Sequence, residues 1–163
     1  MLLLNPMPEK KEIKIITTHH EAHRDYFILE TYEAGMVLVG CEVKSLRESK
    51  ASLAGSFARF EKDELFLYNL YIAPYTKGNF DNEESLRPRK LLLHHSQLLR
   101  LRSKTQEKGL ALIPLKLYFT ERGLVKLDLA VARGKNLYDK RTDIKKQDVK
   151  REIDRAIKNR NRP

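Results

Sequence analysis

Two segments in the last third of the chain alternate strictly between apolar and polar residues, and they constrain the fold more than any other feature. Residues 115–119 read LKLYF, residues 125–131 read VKLDLAV, and Gly123 lies in the short connection between them. Alternation at period two predicts strands with one buried face, and the glycine turn predicts an antiparallel hairpin. The polar positions that would then face solvent are Lys116, Lys126 and Asp128; the positions that would face a core are Leu115, Leu117, Val125, Leu127 and Leu129.

Several other segments have the same short, β-rich character. Residues 14–18, 27–39, 56–60 and 64–72 contain many β-branched and aromatic residues. Helices are predicted over residues 42–48 and 96–107, the second ending before Gly109. The resulting prediction is a mainly β fold, an antiparallel sheet closed into a small barrel, with about three peripheral helices.

Composition excludes several classes of protein. The chain has 163 residues, of which 41% are hydrophobic, and a formal net charge of +10. The single cysteine, Cys41, excludes an internal disulfide and a zinc site built from cysteines. The apolar start of the chain is too short for a signal peptide, and no run reaches the roughly 18 apolar residues of a transmembrane helix. We therefore expect a cytoplasmic protein with no membrane partner.

The excess positive charge is concentrated at the C-terminal end. Residues 134–163 contain 11 basic and five acidic side chains, and the strand pattern ends before them. Val149, Ile153 and Ile157 recur at helical spacing and predict a narrow apolar stripe. We therefore divide the chain into a β-barrel domain, 1–133, and a basic tail, 134–163, which is disordered alone and helical when a partner covers the stripe.

Histidines provide the only local cluster that suggests catalysis or metal binding. His19, His20 and His23 lie close together, but their spacing does not form the HExxH zinc motif. We predict neither a metal site, nor a cofactor, nor a catalytic residue. A metal-dependent hydrolase remains the least favoured function.

Basic residues occur in three groups that suit phosphate binding. These groups are Lys44, Arg47 and Lys50 at helical spacing; Arg87, Arg89 and Lys90; and Lys135 with Lys140 and Arg141. Cations repeated along one face neutralise successive phosphates, so the pattern favours RNA or DNA over a merely solvated surface. On these residues alone, a non-specific single-strand-binding barrel remains an alternative.

Five motifs resemble one known family. They are Glu33-Ala34-Gly35, the run GCEVKSLR from Gly40, the run LRPRKLLLH from Leu86, the run VARGK from Val131, and Tyr138-Asp139-Lys140-Arg141. Their order and spacing are similar to those of SmpB, the SsrA-binding protein family, over residues 13–163.

The resemblance implies a fold, a function and partners. The fold is an antiparallel barrel similar to the oligonucleotide-binding (OB) fold. The partners are transfer-messenger RNA (tmRNA), bound at its tRNA-like domain by one protein monomer, and the stalled ribosome, where the tail occupies the decoding centre and messenger channel. The implied process is trans-translation, which rescues the ribosome and tags the nascent peptide, with no reaction catalysed by the protein.

The resemblance also implies two sets of functional residues. The RNA-binding set is Glu33, Lys44, Ser45, Arg47, Lys50, Arg89, Lys90, Leu92, His94, Gly134 and Lys135. The set that functions on the ribosome lies in the tail and comprises Tyr138, Asp139, Lys140, Arg141, Val149, Ile153 and Ile157.

Overall fold

The computed structural model describes residues 13–77, 82–107 and 109–160, without the side chains of residues 137, 138 and 160. Within these residues the strands are β1 (Lys14–Thr18), β2 (Tyr26–Met36), β3 (Ala51–Ser52), β4 (Phe57–Glu61), β5 (Glu64–Tyr68), β6 (Tyr71–Ile72), β7 (Arg89–Leu92), β8 (Leu110–Phe119) and β9 (Val125–Gly134). The helices are α1 (Ala22–Asp25), α2 (Gly40–Arg47), α3 (His95–Thr105) and α4 (Leu137–Arg160).

The main sheet is antiparallel and closes on itself. Its strand order is β1-β8-β4-β5-β7-β2-β9, and β9 pairs again with β8, so the strands from β8 to β9 form a ring. The pairing of β4 with β8 rests on one residue pair, Ala58 with Leu112, whereas β8 and β9 are paired along nearly their whole length. A mainly β, antiparallel fold of this kind confirms the predicted fold class.

Bulges bend the long strands enough for the sheet to close. The register between β2 and β9 shifts between Ile28 and Glu30, and the register between β8 and β9 shifts between Pro114 and Lys116. An extra residue in one strand increases its local twist and curvature. The second bulge also turns Leu115 away from Leu117, so Leu115 packs in a small satellite cluster with Ile113 rather than in the main core.

The main core fills the ring with aliphatic side chains. Leu117, Leu127 and Leu129 of the predicted hairpin are fully buried there, as the alternation predicted. Leu65 and Leu67 enter from β5, and further residues come from β7, α2 and α3. The inner face of each strand is therefore used for stability, which leaves the outer face for binding.

Two predicted elements differ in extent from the structure. The strand predicted over residues 64–72 ends as β5 at Tyr68, because Asn69 has a φ of 59° and turns the chain. Residues from Leu137 onward form α4, a helix of 24 residues. Its apolar stripe is uncovered, since Val149, Ile153 and Ile157 are each more than half exposed. Within the described residues, no helix is both long and apolar enough to cross a membrane.

Candidate nucleic-acid interface

The outer face of the ring contains a row of side chains that crosses four strands. Tyr118 of β8 is paired with Lys126 of β9, Lys126 with Gly35 of β2, and Gly35 with Leu92 of β7. Gly35 has no side chain, and a Cβ built there would lie 3.4 Å from the Leu92 Cβ. The glycine therefore leaves a depression in the sheet between Lys126 and Leu92.

Glu33 borders this depression together with residues from β7, β9 and the start of α3. A cavity of about 370 Å³ is lined by Glu33, Leu92, Leu93, His94, Gln97 and Lys126, and we call it the Glu33 cavity. Leu92 is about half exposed, and His94 lies at the start of α3. The structure thus brings Glu33, Leu92 and His94 into one site, although the sequence separates the first from the last by 61 residues.

Two neighbouring groups hold the Glu33 carboxylate. The Tyr118 hydroxyl donates to Glu33 Oε2 at 2.6 Å, and the Lys126 ammonium lies 3.4 Å from Glu33 Oε1. The Tyr118 hydrogen bond and the Lys126 charge lower the Glu33 pKa below its ordinary value, against a smaller opposing effect of burial. Glu33 is therefore an anion at neutral pH. It can accept hydrogen bonds from base amino groups or ribose hydroxyls, and it would repel phosphate.

Two of the three cations predicted at helical spacing, Lys44 and Arg47, lie in the last turn of α2. Lys44 lies on α2 with its ammonium 5.5 Å from the centre of the Tyr75 ring, and Arg47 is exposed at the last helical residue. Lys50 lies beyond the helix, because Ser49 has a φ of 56° and reverses the chain. The prediction that three cations share one face of a helix is therefore wrong for Lys50, which lies outside α2.

Glu42 binds two arginines at the base of α2. The Arg87 guanidinium donates to both Glu42 oxygens, at 3.0 and 2.5 Å, and the Arg89 Nε donates to Oε1 at 2.8 Å. The Val39 N–H also donates to Glu42 Oε2. Burial alone would raise the Glu42 pKa, but the hydrogen bonds from Arg87 and Val39 and the charge of Arg89 together lower it. This cluster, the Glu42 clamp, joins α2 to β7.

Two of the residues predicted to bind RNA, Arg89 and Ser45, are interior in the free protein. Arg89 is fully buried, and its remaining donors bind the carbonyl oxygens of Leu70, Ser85 and Arg87. Ser45 is also fully buried, and its hydroxyl has no hydrogen-bond partner among the described residues. In the free protein Arg89 therefore joins β7 to α2 through Glu42, and Ser45 packs inside α2.

Lys90 stays on the outer face of β7, since its strand neighbours Arg89 and Leu91 point inward. Its ammonium forms an ion pair with Glu64 of β5. Lys50 is paired in the same way, with Glu48 at 2.6 Å. These cations reach phosphate only in competition with a neighbouring carboxylate.

The start of the tail is fixed to the sheet. The Lys135 ammonium donates to the His23 carbonyl oxygen at 2.9 Å and to Asp143 Oδ2 at 2.6 Å, and it lies 4.8 Å from the centre of the Phe27 ring. Its side chain is only 8% exposed. Lys135 was predicted to bind RNA; in the free protein its ammonium instead joins α4 to the residues around α1 and β2. Gly134 ends β9 opposite Tyr26, with open space around its Cα.

The predicted tail motif lies in the first turns of α4. Lys140 pairs with Asp25 of α1 at 3.2 Å, Arg141 is exposed, and the Asp139 carbonyl oxygen accepts a hydrogen bond from Thr142. The side chain of Tyr138 lies outside the described residues. Beyond this junction the basic residues of α4 from Lys145 to Lys158 are exposed to solvent.

The histidine cluster is divided by the fold. His19 is buried, with Nδ1 3.0 Å from the Pro114 carbonyl oxygen, whereas His20 and His23 are exposed. No group of three potential metal ligands occurs among the described residues. A cavity of about 690 Å³ lies next to His19, at the short seam between β4 and β8. It contains none of the predicted site residues, so we do not assign RNA binding to it.

Five residues of the Glu33 cavity and its surroundings were not among the predicted site residues: Gly35, Leu93, Gln97, Tyr118 and Lys126. Alternation along the hairpin did place Lys126 on the outer face, but it could not show that β2 pairs with β9. Only that pairing brings Lys126 beside Glu33.

Comparisons with known proteins agree on one family. The sequence model described as "SmpB protein" matches residues 16–159. An "SsrA-binding protein" of Pelotomaculum thermopropionicum is 57% identical over 150 residues, which cover 92% of this chain and 97% of the relative. One of Moorella thermoacetica is 53% identical with the same coverage.

A solved structure is similar as well. Its description reads "tmRNA-SmpB: a journey to the center of the bacterial ribosome", and its matching chain is 57% identical, with a TM-score of 0.63. The match covers 74% of this chain and 85% of that one. With a family match over most of its length and relatives above 50% identity, the chain belongs to the SmpB family of SsrA-binding proteins.

Proposed function

We propose that the protein binds the tRNA-like domain of tmRNA and delivers it to stalled ribosomes for trans-translation. The relatives are SsrA-binding proteins, and the similar solved structure concerns tmRNA, SmpB and the bacterial ribosome. The observation that carries the proposal is the convergence of Glu33, Leu92 and His94 on one cavity of the outer face. Because the ribosome is the second partner, we place the protein in the cytoplasm.

Recognition at the Glu33 cavity depends on shape and hydrogen bonding more than on charge. Glu33 accepts hydrogen bonds from a base or ribose, Leu92 offers apolar contact, and His94 can donate or accept. Lys44, Arg47, Lys50 and Lys90 are the cations to which we assign attraction of the phosphate backbone. We propose that these side chains, with Gly134 at the end of β9, form the RNA-binding surface of one monomer in a 1:1 complex.

The pairing of surface cations weighs against a non-specific single-strand-binding protein. Lys50, Lys90 and Lys126 each lie beside a carboxylate, on Glu48, Glu64 and Glu33 respectively. Such pairs reduce the net gain from releasing counterions, which is the main source of non-specific affinity. A surface of this kind needs additional, shape-dependent contacts to bind RNA tightly.

The tail supports a second role, on the ribosome. The stripe of Val149, Ile153 and Ile157 is exposed on α4 and is surrounded by basic residues. A helix with this pattern fits a channel lined by RNA, where phosphates meet the basic faces. We propose that α4 occupies the decoding centre and messenger channel, with Asp139, Lys140 and Arg141 at its base. In both roles the protein acts by binding, and we assign no catalysed reaction to it.

A binding titration tests the proposed function. The purified protein is titrated with tmRNA, with ordinary tRNA and a random single strand as competitors, at two salt concentrations. We expect a preference for tmRNA that persists at the higher salt, since only phosphate contacts weaken steeply with salt. Equal and salt-sensitive affinity for all three RNAs would instead identify a non-specific binding barrel.

A tagging assay separates the tail from the barrel. The double variant Lys140→Ala/Arg141→Ala should bind tmRNA almost normally and lose peptide tagging on stalled ribosomes. The matched control is Lys145→Ala/Lys146→Ala, which removes the same charge one turn later in α4. A large loss of tmRNA affinity in the first variant would contradict the division of roles.

A further inference from the structure

The Glu33 carboxylate lies between two cavities. On one side is the Glu33 cavity, with Leu92, His94 and Lys126. On the other side is a cavity of about 330 Å³, lined by Glu33, Ile13, Tyr118, Thr120, Glu121, Arg122 and Leu124. The Glu33 side chain is about half exposed and has three rotatable bonds, so packing alone does not determine which cavity its carboxylate faces.

Tyr118 is the residue that determines which of the two cavities the Glu33 carboxylate faces. Its residue is 5% exposed, and its position in β8 is set by pairing with Ile15 of β1 and Lys126 of β9. The Lys116 ammonium lies 5.1 Å from the centre of the Tyr118 ring. A hydroxyl on a ring held in this way has little freedom. Its 2.6 Å hydrogen bond therefore ties one carboxylate oxygen of Glu33 to the sheet.

The bond leaves the second oxygen available on the side of the Glu33 cavity. Oε1 lies 3.4 Å from the Lys126 ammonium, and Lys126 lines the same cavity as His94. This separation is long for an ion pair, so Lys126 neutralises part of the charge without closing the site. A carboxylate with one oxygen anchored and the other facing a cavity is arranged in advance to accept a hydrogen bond.

Asp128 reinforces the arrangement from the neighbouring strand. It is paired in register with Glu33, and its Oδ1 lies 3.3 Å from the Tyr118 oxygen. The shorter bond of the hydroxyl, at 2.6 Å, goes to Glu33, and the other oxygen of Asp128 has an ion pair with Lys116 at 3.2 Å. The charged and titratable side chains around Glu33 are therefore Lys126 and His94 in the Glu33 cavity, Glu121 and Arg122 in the second cavity, Tyr118, and Asp128 opposite it in register.

We propose that Tyr118 is a positioning residue for RNA recognition, whose hydroxyl holds the Glu33 carboxylate in the orientation that accepts a hydrogen bond from tmRNA. This inference rests on the proposed function and extends it to a residue that does not itself need to touch the RNA. It explains why a tyrosine, rather than a phenylalanine, occupies an almost buried position on the outer face of β8.

The test is Tyr118→Phe, which removes one oxygen and keeps the ring. We expect tmRNA to bind roughly 3- to 10-fold more weakly, the range of a typical net hydrogen bond. The matched control is Tyr32→Phe. The Tyr32 hydroxyl also donates to a carboxylate, that of Glu30 at 2.7 Å, but outside the Glu33 cavity. This control should bind tmRNA as the wild-type protein does.

A double-mutant cycle with Glu33→Gln shows whether Tyr118 acts through Glu33. Non-additive losses of affinity in the double variant support the proposal, whereas additive losses or normal binding by Tyr118→Phe overturn it. If the wild-type protein itself shows no preference for tmRNA, the proposed function fails instead. The two failures are therefore distinguishable.

A measurement on the free protein makes the test independent of RNA. The Glu33 carboxyl resonance, followed by NMR against pH, should titrate at a higher pH in Tyr118→Phe, because the lost hydrogen bond is the main cause of the lowered pKa. NMR scalar couplings of the Glu33 side chain in the wild-type protein should also report a single rotamer. This measurement does not depend on the folding of any variant. Averaged rotamers in the wild-type protein would overturn the proposal.

Discussion

Arg89 donates from Nε to Oε1 of Glu42 at 2.8 Å, and neither side chain is more than 5% exposed. Two charges removed from water need each other and further hydrogen-bond partners, since desolvation costs several kcal/mol per ion. Here the other guanidinium donors bind three backbone carbonyl oxygens, and Glu42 also accepts from Arg87 and Val39. The Glu42 clamp thus holds α2 against β7, and with it the relative positions of Lys44 and Leu92.

Replacing Arg89 should therefore affect stability rather than RNA affinity alone. We expect Arg89→Met to lower the free energy of unfolding by about 3 kcal/mol, the size typical of removing one partner of a buried pair. Urea unfolding followed by circular dichroism measures this change. The control Arg59→Met removes an exposed arginine that is paired with Glu61, and it should have little effect on stability. A stable Arg89→Met protein with impaired RNA binding would show that Arg89 contacts RNA after all.

The basic run around Arg89 shows where sequence reasoning reaches its limit. The arginines and the lysine in the run RPRK were all predicted to suit phosphate binding, and charged residues are almost never fully buried unless paired. The partner, Glu42, lies 47 positions earlier, and nothing local indicates the pair. The fold class, in contrast, followed from alternation within single strands, which is a local signal.

Enlarging the side chain at position 35 should block the Glu33 cavity. Gly35 does not have a positive φ, so the backbone accepts other residues, but an added Cβ lies 3.4 Å from the Leu92 Cβ. We expect Gly35→Ala to weaken tmRNA binding slightly and Gly35→Leu to weaken it on the order of 10-fold, or about 1.4 kcal/mol. Binding titrations with parallel thermal unfolding measure both effects. Unchanged affinity in a folded Gly35→Leu protein would show that RNA does not enter this cavity.

The ion pairs of Glu48 lead to a prediction about pH. Hydrogen bonds from Lys50 and Lys77 lower the Glu48 pKa from 4.5 to about 2. A carboxyl group with a depressed folded-state pKa stabilises the fold above its unfolded value, and this contribution is lost as the pH falls through the folded value. We therefore expect the Glu48 contribution to disappear between pH 4.5 and about 2.

An NMR titration of the Glu48 carboxyl group checks this expectation. In Lys50→Met the midpoint should rise toward 4.5, because the largest cause of the shift is removed. Lys90→Met, which breaks the separate pair with Glu64, should leave the Glu48 midpoint unchanged. A wild-type midpoint near 4.5 would mean that Lys50 is unpaired in solution and more available to phosphate than the structure indicates.

The candidate site was only partly predictable for a related reason. Glu33, Leu92 and His94 came from the family resemblance, and the structure does bring them together. Tyr118 and Lys126 complete the site through strand pairing between distant segments, and register between strands is not encoded within either strand alone. Lys135 belongs to the basic tail in the sequence and was therefore grouped with the cations that suit phosphate binding. Its ion pair with Asp143, which indicates a structural role, forms only when α4 is docked.

The contacts that dock the start of α4 lead to the last prediction, which concerns where trypsin first cleaves the free protein. A tail that is disordered from residue 134 would be cut by trypsin first at that boundary. Lys135 and Lys140, however, are engaged with Asp143 and Asp25, whereas the basic residues from 145 to 158 are exposed along α4. We therefore expect the first cuts in the free protein between residues 145 and 158, because local opening costs least where a helix has no tertiary contacts.

Mass spectrometry of the early fragments locates these cuts, and Asp143→Asn provides the comparison. This variant keeps the size of the side chain but removes the charge that holds the Lys135 ammonium, so cleavage should begin nearer Lys135 and Lys140. Lys145 is a convenient reference site, since it should be cut at the same rate in both proteins. First cleavage next to residue 134 in the wild-type protein would mean that the junction opens readily and that the whole tail, not only its distal part, becomes ordered on the ribosome.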